Sequence, residues 1–68
     1  MSLNEVRQAM LADCNIVCNG IVYARIVAYE VSYDRGKHKW LLSLILQDSR
    51  SRNSVTRVSA EKCKMIPL

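Results

Sequence analysis

Between positions 33 and 39 the chain sets Tyr33, Arg35, Lys37, His38 and Lys39 around a single glycine. Cations at this spacing can hold phosphates, and an aromatic ring beside them can stack a base. Lys62 and Lys64 follow later in the chain, and Arg50 and Arg52 make a secondary basic loop. The net charge of +4 is concentrated accordingly, since residues 1–34 sum to −2 and residues 35–68 to +6. Such an asymmetry favours an anionic partner, either nucleic acid or an acidic protein surface. The competing reading is a solvated charged rim that keeps a small domain soluble.

Other reactive residue types do not assemble into a catalytic pattern. His38 is the single histidine; catalysis would require a nucleophile or carboxylate placed beside it, and Asp34 reads as a turn residue. The serines lack a nucleophile-elbow context, and two glycines cannot build a phosphate loop. No catalytic residue is assigned, and no cofactor. Cys14, Cys18 and Cys63 read as buried small hydrophobes, because a zinc site would need all three to converge with His38 at a spacing unlike any usual finger or ribbon. No metal site is assigned.

The elements that must position the basic residues follow from pattern. Sixty-eight residues, half of them apolar and about a quarter charged, form one domain near the lower size limit for an unaided core. Ser2 and Glu5 form a capping box that starts a helix over 2–12, with Leu3, Val6 and Met10 as its apolar stripe and Asp13 and Asn15 at its end. Strands are expected at 14–18, 21–33, 38–48, 54–59 and 64–66. The first two are joined by an Asn19-Gly20 type I′ turn, and Pro67 stops the last. Apolar runs fall far short of the roughly 20 residues of a membrane helix, and no secretory signal is visible, so the expected location is cytoplasmic with no membrane partner.

The 21–48 stretch is the densest in strand formers. Pairing Tyr33 with His38 puts Val31, Tyr29 and Val27 opposite Trp40, Leu42 and Leu44 on a core face, with Tyr23, Tyr29, Tyr33 and Trp40 as mainly core aromatics. The other face carries Ile26, Leu41 and Ile45 and calls for cover by the helix or by a second copy, hence a possible homo-oligomer. Arg25 interrupts the apolar face, which predicts a bulge beside it.

One helix followed by meandering strands, the N-G turn, the long strand Ile21 to Tyr33 and the closing segment Val58 to Ile66 together resemble the SH3-like and Sm-like small β-barrels. The resemblance implies a mainly β fold with one N-terminal helix, a small bent barrel of four or five antiparallel strands. Arg25 falls near the position of the Sm-like glycine, and Val31 to Asp34 supplies no asparagine of the uridine-pocket type. Small bacterial inhibitors of the Rho terminator are similar in layout. The expectation is therefore a non-enzymatic binding module that uses Tyr33, Arg35, Lys37, His38, Lys39, Lys62 and Lys64 on an anionic partner, nucleic acid being favoured. The alternative is a protein-interaction or inhibitory module on an acidic protein surface.

Overall fold

A computed structural model describes residues 1–50 and 53–66; Arg52 and Pro67 lie outside the described residues. The order of elements is α1 (Leu3–Ala12), β1 (Asn15–Cys18), β2 (Ile21–Asp34), β3 (Lys39–Asp48), β4 (Val55–Ser59), a 3₁₀ turn (Ala60–Lys62) and β5 (Cys63–Ile66). The fold is mainly β with one N-terminal helix.

Helix α1 starts where its chemistry predicts. The Ser2 hydroxyl accepts from the Glu5 N–H at 3.2 Å, and the Glu5 carboxylate accepts from the Ser2 N–H at 3.1 Å. The hydrogen bond from the Ser2 backbone, then that from its side chain, hold the Glu5 carboxyl below its ordinary pKa. Asp13 ends the helix in the left-handed conformation. The buried stripe is Val6 and Ala9, with Met10 partly buried and Leu3 exposed. At Asn19-Gly20 both residues have positive φ, as a type I′ turn requires.

The five strands form one antiparallel sheet in the order β4-β3-β2-β1-β5. It is not closed into a barrel, which corrects the expected closure. The reason is directional: β4 and β5 are each antiparallel to strands that run the same way, so they are parallel to each other. A parallel pair needs a crossover of about a dozen residues, and only Ala60–Lys62 connect these two.

The β2–β3 register differs from the expected one by two residues. Asp34 pairs with Lys39, and Tyr33 with Trp40, around a four-residue loop at 35–38. A shift of two keeps every side chain on its own face, so Tyr29, Val31 and Tyr33 still share a face with Leu44, Leu42 and Trp40. Two irregularities then change the faces, one between Tyr23 and Arg25 and one between Ile26 and Ala28, and together they bracket Arg25. The second leaves Val27 as the extra residue of β2, so Ile26 pairs with Leu46 on the core face. Ile26 is 5% exposed and Val27 44%, the reverse of the assignment made from strict alternation. The proposed Ile26, Leu41 and Ile45 surface is therefore split: Ile26 is in the core, while Leu41 and Ile45 stay on the outer face.

The core lies between α1 and that inner face. Val6 and Ala9 cluster with Ile16, Cys18, Tyr23, Ile26, Leu44, Leu46, Ala60 and Cys63. The helix thus covers the core face and not the half-apolar outer one. The outer face is bridged instead by Arg57 and Glu30, 2.7 Å apart across β3. The bulge assignment sets the cost of truncation on either side of it. In urea unfolding, Ile26→Ala should cost about 2–5 kcal/mol, and Val27→Ala about 1 kcal/mol or less. Equal losses would show that Val27 is not turned outward.

Candidate nucleic-acid interface

The site stands on the part of the hairpin that the helix does not bury. A ten-residue helix is roughly 15 Å long, whereas the fourteen residues of β2 extend for roughly 46 Å before bending. β1 pairs with β2 only over Ile21–Tyr23, and β4 pairs with β3 only from Ser43 onward. From Val31 and Leu42 to the tip, the two strands have only each other as strand partners among the described residues. They form a ribbon projecting from the domain, whose longest extent is 36 Å against 22 and 19 Å in the other directions.

This arrangement moves most of the hairpin aromatics out of the core. Tyr23 is buried at the base, but Tyr29, Tyr33 and Trp40 are exposed, Trp40 by 72%. Tyr33 and Trp40 meet edge to face, with ring centroids 5.0 Å apart and planes at 61°. Alternation alone assigns these rings to a filled core face. What it misses is that the helix is too short to cover that face, a mismatch that the two predicted lengths already contain.

The tip is a built turn. The Asp34 carboxylate accepts from the N–H groups of Gly36 at 3.0 Å and Lys37 at 3.2 Å, which occupies the one acidic side chain of the loop with the backbone. His38 adopts φ +52° to close it. Arg35, Lys37, His38 and Lys39 are all exposed. None of the three cations among them makes an ion pair with a described residue, whereas Arg25 is held by Asp13 at 3.2 Å and Arg57 by Glu30.

Beneath the ribbon lies a cleft of about 560 Å³. Trp40, Val31 and Leu42 form its apolar wall, and Met1 and Leu3 lie among its other lining residues. Lys37 and Lys39 border it, as do Ala60 and Glu61 of the 3₁₀ turn. The Met1 amino group donates to the Ala60 carbonyl at 2.7 Å, tying the start of the chain to that turn.

Lys62 follows Glu61 at the edge of this cleft, and Lys64 lies beyond it on β5. Lys64 pairs with Val17, and Cys63 with Cys18, which puts the start of β5 at the Asn19-Gly20 end of β1. The 3₁₀ turn leaves β4 opposite Ser43, its Ala60 and Glu61 line the cleft, and the Cys63 that follows it donates back to the Ser59 carbonyl. Arg50 lies at that lower end, beside a hollow of about 480 Å³ lined by Gly20, Ile21, Val22 and Asp48. Its N–H donates to the Asp48 carboxylate at 2.8 Å.

His38 at the tip is remote from the three cysteines, which are buried in the body of the domain. Among the described residues no group of three or more His, Cys, Asp or Glu side chains could hold a metal ion. The Cys63 thiol is pushed up to about 11 by burial, then by the hydrogen bond with Cys18 and the proximity of that group. It is therefore protonated at neutral pH and a poor nucleophile. No helix is long and apolar enough to cross a membrane among the described residues. Comparisons with known proteins add no relative, as no family model, curated protein or solved structure matches the chain.

The geometry sets two expectations for the tip. Trp40 is the chain's one tryptophan, so its fluorescence should be quenched by iodide in the native state and much less by caesium at low salt, because the neighbouring cations attract the anion and repel the cation. Weak quenching by both ions would place the ring in the interior. His38→Gly should leave folding intact and raise stability by up to about 1 kcal/mol, read from the urea midpoint, since glycine takes positive φ without strain.

Proposed function

We propose that the protein is a non-enzymatic module that binds single-stranded nucleic acid on the hairpin ribbon. Trp40 and Tyr33 stack bases, while Arg35, Lys37, His38 and Lys39 engage phosphates. The observation that carries this reading is the exposed Trp40–Tyr33 pair standing among cations that have no ion pair of their own. Trp40, Tyr33 and Val31 are exposed side by side on one face, and contiguous apolar surface of this kind, unlike singly scattered side chains, marks an interaction site. Rings set edge to face offer a face to an unstacked base, which a duplex does not supply. The strand order and the 3₁₀ turn before the last strand support the likeness to the Sm-like superfold, and the location proposed is cytoplasmic.

A second reading rests on the open edge of β2 beyond Tyr23. An extended acidic peptide could add to that edge by backbone hydrogen bonds, with the basic tip steering it.

Fluorescence titration of Trp40 with short single-stranded oligonucleotides at several salt concentrations separates the two. Affinity should fall with salt, and Lys37→Glu with Lys39→Glu should weaken binding and flatten the salt slope. Tyr33→Ala, followed by anisotropy of a labelled oligonucleotide, should cost about 1–3 kcal/mol, or roughly 5- to 150-fold in affinity. Lys64→Glu should cost far less. Binding of an acidic peptide with no oligonucleotide binding at low salt would replace the first reading with the second.

A further inference from the structure

Cys18 and Cys63 are direct partners in the register between β1 and β5, and both are buried free thiols. Residues directly opposite in an antiparallel pair have Cα atoms about 4.5 or 5.5 Å apart, and a disulfide accepts Cα separations of about 4.4–6.8 Å. The backbone separation of such a pair therefore lies in the range that a disulfide spans. The Cys63 thiol donates to the Ser59 carbonyl at 3.4 Å, and the nearby Cys18 helps to hold its pKa up. Cys14, buried immediately before β1, has no cysteine opposite it among the described residues.

We propose that Cys18 and Cys63 are an oxidisable pair that closes into a cross-strand disulfide and fastens β5 to the sheet. The oxidant is a small-molecule disulfide. One protein thiolate attacks it, forming a mixed disulfide and expelling one small thiol. The second protein thiolate then attacks the protein-side sulfur of that bond and expels the other. Two protein thiol protons are lost, one S–S bond forms within the chain, and the oxidant leaves as two thiols. Access comes through β5 itself, a four-residue edge strand bonded on one side only among the described residues, the kind of element that opens locally most readily. Closure removes the Cys63 donor from Ser59, at the junction between β4 and the 3₁₀ turn. Burial keeps the Cys63 sulfur a thiol at neutral pH, so exchange through it is slow there and speeds up as pH rises.

The test is to incubate the folded protein with oxidised glutathione in mildly alkaline buffer, and separately to refold it from urea in the same oxidant. Both routes should give a monomer lighter by two hydrogens, a Cys18–Cys63 cross-linked peptide, and one alkylatable thiol at Cys14. The melting temperature should rise by about 10 °C or more and return on reduction. Cys14→Ser should behave identically, and Cys63→Ser should form no intramolecular bond. Three alkylatable thiols after refolding, or a bond involving Cys14, would overturn the proposal.

Discussion

Everything in this domain depends on the seating of Val6 and Ala9 against Ile16, Leu44 and Leu46. A ten-residue helix is marginal alone, and a lone hairpin does not persist in water; each is stable only because the other covers it. The four largest fully buried side chains, Ile16, Leu44, Leu46 and Val6, all belong to this one contact. No polar side chain is buried among the described residues, so the core holds by packing alone. A core this small covers only the lower half of the long hairpin, and the upper half becomes surface.

Local chemistry was legible in the residues wherever it is self-contained. The Ser2 and Glu5 box, the Asp13 stop, the Asn19-Gly20 turn and the five strands follow from side chains acting on their own backbone, and each lies within a residue or so of its predicted place. Register and enclosure were less legible, because they depend on parts remote in sequence. His38 reads as the first residue of a strand until its left-handed φ assigns it to the loop. Val27 reads as a core residue in strict alternation, and only the bulge that aligns Ile26 with Leu46 turns it outward. Lys62 and Lys64 read as neighbours of the hairpin tip in a flat meander, whereas β5 returns beside β1 and sets Lys64 opposite Val17.

The division of charge follows the same geometry. Arg25 and Arg57 are held by Asp13 and Glu30 around the body of the sheet. The cations at the tip have the Asp34 carboxylate beside them, but its Oδ1 is committed to the loop backbone. Positive potential therefore collects where Arg35, Lys37 and Lys39 outnumber one carboxylate that is directed at the backbone, next to the rings that the helix leaves exposed. Cysteine placement was legible as burial but not as partnership, since nothing in the spacing of Cys18 and Cys63 announces that they face each other.

The ribbon has a property of its own as a unit of variation. Its strands reach the core no farther out than Leu44, with Leu42 packed partly against it, so the length beyond the Val31–Leu42 pair is free to drift. Adding or removing one residue from each strand together would lengthen or shorten the reach of the tip without disturbing a single interior contact. An unmatched change low on β2 would swap its faces, bring Glu30 and Ser32 round to the side of Trp40 and take Tyr33 away from it. Descendants of such a chain would be expected to differ in hairpin length by whole cross-strand pairs, while the five-strand body stays constant.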